Sequence, residues 1–338
     1  MEREKTFAEA SPLARALYYT GPARAELRNV RIGTLTGGDN REAYALVKTV
    51  FSGISRGTER LVFEGRLPPG EWERMRCPNQ EGSFPFPVKY GYAVVGVVED
   101  GPRNLIGKSA FVLHPHQDRF VLPAGDLVLV AEHMPPRRVT LAANMETALN
   151  AVWDSAAGPA DRIAIVGAGT VGALVAFLCG GLAGAEVMLV DINERRAELA
   201  QKLGVRFAKP ETAKGDCDLV VHASGTAAGL RTALALAGEE ATVLELSWYG
   251  DTPVAAPLGG AFHSRRLRLI SSQVGQVASS HRPRWTHNRR LAAAIDLLAD
   301  SRLDALLAPM VSFYDLPRRL PDILDARNGV VCQLISYS

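Results

Sequence analysis

The chain has 338 residues, enough for two domains at about 100–200 residues each, and its 47% hydrophobic and 22% charged content suits a globular protein with a proper core. A formal net charge of +2 gives no electrostatic case for nucleic acid or an anionic membrane as partner. The four cysteines, Cys77, Cys179, Cys217 and Cys332, are scattered without a CxxC pair, which excludes a disulfide framework and a structural zinc lobe and fits a reducing compartment.

In chain order, the opening stretch MEREKTFAEASPLARALYY begins on charges and lacks the apolar run of a signal peptide, so a cytoplasmic location is expected. Short β-like runs then follow at Ala45–Phe51, Ala93–Glu99, Ser109–Leu113, Arg119–Leu122 and Leu127–Val130, separated by turn signals such as PPG, EDGP and PAGD. Such spacing suggests a β-rich barrel or sandwich. Within it, the Pro- and Gly-rich segment Leu67–Phe86 reads as an irregular surface loop.

From Asp161 the texture changes. The strands Arg162–Val166, Glu186–Asp191, Leu219–His222, Thr242–Leu246 and Leu267–Ser271 alternate with helical runs at Val171–Leu182, Glu194–Leu203 and Leu230–Ala237. That alternation predicts α/β architecture with a parallel, doubly wound sheet. The stretch Val171–Leu182 is the longest apolar one, but glycines interrupt it and it is too short to span a bilayer. A helix over Asn288–Asp300 and a strand over Val330–Ile335 return to the first texture. The expected organisation is a nucleotide-binding domain over 151–275, inserted into a β-rich domain made of 1–150 and 276–338.

The most informative motif is IAIVGAGTVGALVAF. A strand runs into Gly167-Ala168-Gly169-Thr170-Val171-Gly172 and directly on into a helix. Gly167 permits the tight turn, Gly169 lets the backbone approach a pyrophosphate, and Gly172 lets helix and strand pack closely. Thr170 and Val171 open the helix, whose free amides and positive dipole end suit phosphate. Asp191 ends the next strand at the distance where a carboxylate takes the adenosine ribose hydroxyls. It would repel a 2′-phosphate, which favours NAD over NADP, although Arg195 and Arg196 follow closely and temper that preference. Ser224, just past the strand Leu219–His222, is a further candidate for cofactor contact.

A β-rich first domain, a central dinucleotide domain and a C-terminal return resemble the medium-chain dehydrogenase/reductase superfamily, which includes the zinc alcohol dehydrogenases. Several segments carry the resemblance. VKTVFSGISRGTER (Val47–Arg60) is similar to the V-x-V-x-x-x-G-I-C-[GHR]-[ST]-D segment, and VKYGYAVVGVVEDG to the GHE-x-x-G-x-V stretch. NMETALNAV (Asn144–Val152) matches the bridge into the nucleotide domain, and ISSQVG (Ile270–Gly275) its last strand. The resemblance implies a GroES-like β-rich domain joined to a Rossmann domain, hydride transfer on a small-molecule substrate, and a homodimer formed through edge strands.

The zinc-binding residues of that pattern are missing. Ser55 replaces the cysteine, Tyr92 the histidine and Ala93 the following glutamate. A serine hydroxyl and a phenol are poor zinc ligands, and the one carboxylate at a ligand position, Glu146, cannot hold the ion alone. No metal is expected. SGIS-x-GTER with Tyr92 most resembles the bacteriochlorophyllide dehydrogenase-like subgroup, without implying its substrate.

Without zinc, a side chain must polarise the substrate oxygen, or the substrate must be an activated alkene. Tyr92 is either a proton donor to a carbonyl oxygen or an aromatic filling the vacated metal volume. Thr58 and Ser55 are candidate relay hydroxyls or turn caps. His116, two residues after His114, either reaches the cleft or bonds its loop. By resemblance, Arg56 would face the pyrophosphate and Thr147 the nicotinamide. The basic run SRRLRL with HRPRWTHNRR reads as a solvated face or an anion site, with Trp285 as a possible stacking surface. Three functions stand open: a zinc-independent NAD(P)-dependent alcohol/carbonyl oxidoreductase, an enoyl or quinone-type reductase, and a non-catalytic, redox-sensing dinucleotide binder.

Overall fold

The computed structural model describes residues 12–35 and 38–338. The charged opening residues therefore lie outside the described part. Two compact units emerge: one built from the described residues up to Ala142 together with Ala308–Ser338, the other from Ala143–Leu307.

The first unit begins with an antiparallel pair, β1 (Leu13–Gly21) and β2 (Arg24–Arg31). Neither was expected from sequence. On β1, Ala14, Ala16, Leu17 and Tyr19 are buried, but the exposed β2, RAELRNVR, hides the strand behind polar residues. A short helix, α1 (Gly38–Ala43), leads into β3 (Tyr44–Ser55), which runs four residues beyond the expected Phe51 and makes Ser55 its last residue. Helix α2 (Arg56–Glu64) starts at the next residue and ends at Gly65 in the left-handed conformation. Next come β4 (Glu81–Gly82), β5 (Val88–Lys89), β6 (Val94–Asp100), β7 (Ser109–Val112), β8 (Arg119–Pro123), β9 (Val128–Leu129) and α3 (Pro136–Val139).

The second unit is entered by α4 (Ala142–Ser155). It then alternates β10 (Arg162–Val166), α5 (Thr170–Gly180), β11 (Glu186–Val190), α6 (Arg196–Leu203), β12 (Arg206–Ala208), β13 (Cys217–His222), α7 (Ala227–Leu236), β14 (Ala237–Glu245) and β15 (Arg268–Ser271), followed by α8 (His287–Asp296). The chain closes in the first unit with β16 (Leu307–Ser312), α9 (Leu316–Leu324) and β17 (Cys332–Ser336).

In the first unit the sheets run β2-β1-β5-β4 and β16-β17-β3-β6-β7-β9, with β8 pairing to β3. In the second, six strands run β12-β11-β10-β13-β14-β15 and all their pairings are parallel. The fold is thus α/β: a β-rich GroES-like unit and a Rossmann unit whose strand order reverses between β10 and β13. Buried Ala164, Val166, Val190, Val220 and Val243 fill one face of the parallel sheet against Leu230, Ala233 and Leu234 of α7. Among the described residues, no helix is long and apolar enough to cross a membrane.

Candidate functional site

Because β3 passes into α2 without a loop, Ser55 at the strand end and Thr58 in the first helical turn lie close together. Both side chains hydrogen bond to the Tyr92 hydroxyl, just before β6. Three of the candidate catalytic residues therefore converge. Burial, and then the Glu59 carboxylate, hold the Tyr92 hydroxyl well above its ordinary value, while the Ser55 and Thr58 hydrogen bonds pull it part of the way back. Tyr92 is accordingly a neutral phenol at working pH, half-buried, with a proton to give.

Behind this cluster lies a second, fully buried one. His116 is not a loop-bonding histidine: it has no exposed surface, its Nδ1 lies 2.8 Å from the Ser52 Oγ and its Nε2 3.1 Å from the Glu59 Oε2. Tyr19 donates to the same Glu59 oxygen at 3.0 Å, and Ser52 meets the Tyr337 hydroxyl at 3.0 Å. Gly91 makes room for this imidazole, since a Cβ there would come within 2.8 Å of the His116 ring. His114 instead stacks on Phe120 at 3.7 Å, with its Nδ1 2.8 Å from the Pro115 carbonyl oxygen.

These donors do not suit zinc. Ser55 and Tyr92 offer protonated oxygens, and burial pushes the nearby Cys77 and Cys332 thiols up to about 12, away from thiolate. Glu146 is spent on an ion pair with Arg290 at 3.0 Å. Among the described residues, no group of three or more His, Cys, Asp or Glu side chains could hold a metal ion.

In the second unit, the turn after β10 has the backbone a dinucleotide needs. Gly167 sits at φ +109°, and a Cβ on Gly172 would lie 1.9 Å from the Gly167 carbonyl oxygen, so neither tolerates a side chain. A Cβ on Gly169 would meet nothing within 4 Å, which leaves that face open to a ligand. Gly169 caps α5 without a side chain, so no capping side chain takes the first amides of the helix, the end that suits phosphate. Asp191 accepts from the Ala168 amide at 2.7 Å and the Asn193 amide at 2.8 Å, one on each oxygen. A carboxylate has further lone pairs, so both oxygens can still accept ribose hydroxyls. Burial lowers the Arg196 guanidinium and Asp191 raises it, which places that cation beside the carboxylate.

The other candidates are placed as follows. Arg56 donates to the Asp325 carbonyl at 3.0 Å, within its own unit. Thr147 donates to the Ala143 carbonyl one helical turn back. Ser224 bonds to His222 at 2.6 Å, and His222 to Glu245 at 2.8 Å. This last arrangement escaped the sequence reading; the only local signal was a histidine ending the apolar run Leu219–Val221. The basic run is not uniformly solvated either. Arg290 is 1% exposed and donates to Glu146, Asn150 and the Gln276 and Val274 carbonyls. Trp285 packs on Trp153 at 4.8 Å, with the Arg289 guanidinium over its ring.

No protein-family model matches the chain. An uncharacterized zinc-type alcohol dehydrogenase-like protein of Haemophilus influenzae is 25% identical over 247 residues, covering 69% of this chain and 64% of that protein. The match thus spans less than two thirds of the relative's length. Among solved structures, L-idonate 5-dehydrogenase from Escherichia coli superposes over 97% of this chain and 99% of its own, with a TM-score of 0.78 and 15% identity. A Sinorhizobium meliloti protein described as a zinc-binding dehydrogenase, with NADP bound, matches over 96% and 99%, with a TM-score of 0.73 and 19% identity. The chain is similar to zinc-type alcohol dehydrogenases in sequence and has the fold of such dehydrogenases over nearly its whole length.

Proposed function

We propose that this chain, which has the fold of medium-chain dehydrogenases, is an NAD-dependent, zinc-independent oxidoreductase acting on an alcohol/carbonyl pair. The observation that carries the reading is the Tyr92 hydroxyl held by Ser55 and Thr58 at the positions where zinc relatives carry metal ligands or their neighbours. Bound nicotinamide would supply or accept the hydride. Tyr92 donates its proton to the carbonyl oxygen of the substrate. Ser55 and Thr58, donating to the phenol oxygen, stabilise the phenolate as the proton leaves. Glu59, buried behind them, opposes premature loss of that proton. Asp191 supports NAD over NADP. Ser55 and Tyr92 together favour the subgroup that lacks the zinc ligands.

Chelation separates this reading from that of the zinc-type relative. After dialysis against a strong chelator, the full chain is expected to hold substoichiometric zinc by elemental analysis and to keep its NADH-linked activity on carbonyls. Stoichiometric zinc whose removal abolishes turnover would overturn zinc independence.

A homodimer through the edge of the parallel sheet is part of the same proposal. All four residues of β15 are exposed, and Leu269 and Ile270 each show 38% of their surface on an edge that no strand covers among the described residues. Sedimentation velocity is expected to give a dimer, and Leu269→Lys a monomer. A monomeric wild type would refute the assembly.

A further inference from the structure

Behind Tyr92, a chain of hydrogen bonds crosses the interior of the first unit from Glu59 to Tyr337. The Glu59 Oε2 lies 3.1 Å from His116 Nε2, His116 Nδ1 lies 2.8 Å from the Ser52 Oγ, and that oxygen lies 3.0 Å from the Tyr337 hydroxyl. Glu59, His116 and Ser52 have no exposed surface, and Tyr337 is buried. The four come from α2, the loop before β8, β3 and the residue after β17, so no local turn or cap gathers them. Hydroxyls both give and take hydrogens, and a carboxyl does so once protonated. A proton accepted at one imidazole nitrogen is released from the other, so the chain can pass one whichever tautomer His116 holds at rest.

Glu59 is the unusual member. Its Oε2 also accepts from the Tyr19 hydroxyl at 3.0 Å, whereas its Oε1 is buried with no hydrogen-bond partner among the described residues. Leaving a buried carboxylate oxygen bare destabilises a fold, and such exceptions in a native interior call for a task. Two observations aim it at Tyr92. After burial, the Glu59 charge is the strongest influence on the Tyr92 hydroxyl. The His116 ring also lies against Gly91, the residue before Tyr92, where a Cβ would come within 2.8 Å of it.

The other groups that feel the Glu59 charge do not compete as proton sources. The Tyr19 and Tyr90 hydroxyls and the Cys77 and Cys332 thiols are all raised by burial and keep their protons. Tyr337 is raised likewise, so it passes a proton inward only as it takes one from outside. At that outer end it feels the charges of Asp118, which is half-buried, and of Tyr314, which is exposed. The chain thus runs from beneath the proton donor toward the surface.

We propose that Glu59, His116, Ser52 and Tyr337 form a proton path that refills Tyr92 after it has protonated the substrate oxygen, with the free Glu59 oxygen as the inner end. The inference rests on Tyr92 as the proton donor. In balance, a carbonyl, NADH and one proton become an alcohol and NAD. Tyr92 loses its proton to the carbonyl oxygen as hydride reaches the carbon, Glu59 hands one to the phenolate, and His116 restores Glu59. Ser52 and Tyr337 then pass the replacement in from solvent. All four act through Tyr92 and touch no substrate.

Stopped-flow reduction of a panel of aldehydes and ketones by the full chain, with NADH and a pH indicator in weak buffer, tests it. In the wild type, proton uptake is expected to keep pace with NADH oxidation. In Ser52→Ala and in Tyr337→Phe, which keeps the ring stacked on Phe313, the first NADH oxidation should stay within about twofold while proton uptake slows about 10²-fold. Joining the two changes should add nothing, since one broken link breaks the path. Loss of packing alone would slow hydride and proton together and would not split them. A readout without cofactor is the alkaline tyrosinate absorbance of Tyr92, taken as the difference from Tyr92→Phe in the same background. Glu59→Gln should move it to lower pH, because the facing negative charge is gone. If Glu59→Gln does not fold, the two outer variants still decide. Uptake that keeps pace in either outer variant, a lag already in the wild type, or a Tyr92 titration unmoved by Glu59→Gln would overturn the path. A wild type that reduces no carbonyl, or reduction that survives Tyr92→Phe intact, removes the proton-donor reading as well. Reduction that depends on Tyr92 with uptake unbroken in both outer variants removes this inference alone.

Discussion

Tyr92→Phe is expected to lower kcat/KM for carbonyl reduction by about 10²–10⁴, the range of a lost general acid, while NADH affinity stays within about twofold. The phenyl ring keeps the volume of Tyr92 and its edge contact with Tyr90, so packing is spared and only the proton is removed. Steady-state kinetics with a parallel NADH titration separates the two effects. The pH dependence has a definite sign. Because burial and Glu59 raise the Tyr92 hydroxyl above its ordinary value, the proton donor persists as pH rises, and reduction should show no alkaline loss from this group up to about pH 10. Full activity in Tyr92→Phe would make the residue a filler of the pocket and favour the enoyl or quinone-type reductase. Cofactor binding without turnover on any carbonyl or alkene would instead favour the redox-sensing binder.

Arg290→Leu is expected to cost about 3–5 kcal/mol of stability, the scale for removing one partner of a buried ion pair. The guanidinium ties Glu146 and Asn150 of α4 to the carbonyls of Val274 and Gln276, and its loss leaves all of them without that donor in the interior of the second unit. Burial already raises the Glu146 carboxyl, against the opposing pull of Arg290, so the folded state holds its proton more tightly than the unfolded chain does. Such a group favours folding below its folded pKa and loses that contribution as pH rises through it. The deficit of Arg290→Leu should therefore be larger at neutral pH than in mild acid, where Glu146 can take up a proton. Urea unfolding at two pH values measures both. A deficit under about 1 kcal/mol would mean that water or a neighbour replaces the guanidinium.

The sequence revealed best what a short stretch of backbone decides. The turn from Gly167 to Gly172 needs no side chain and a strand and helix on either flank, all within one continuous run. The convergence of Tyr92 with Ser55 and Thr58 was reachable only by resemblance, because nothing in the spacing of residues 55, 58 and 92 brings them together. Partners on separate elements stayed hidden. His222 meets Glu245 across parallel strands, His116 meets Glu59 and Ser52 from a distant loop, and Arg290 finds Glu146 from 144 residues away. Periodicity reports which face a residue takes, not which residue it meets there. Hence Arg290 looked solvated within a basic run, and β2 was not expected, because charged residues interrupt any apolar alternation along it.

One feature of the first unit has kinetic meaning. Ser55 ends a twelve-residue strand and Thr58 stands in the helical turn that follows at once, with no connecting loop between them. Hydroxyls rooted this way have no open conformer to visit, and their spacing is as stiff as the sheet itself. On the proposed mechanism these two hydroxyls therefore need no gating step, and a substrate would meet them already assembled, with their orientation entropy settled during folding. If turnover proves slow, the delay belongs to binding, hydride transfer or release of the nucleotide rather than to assembly of these groups.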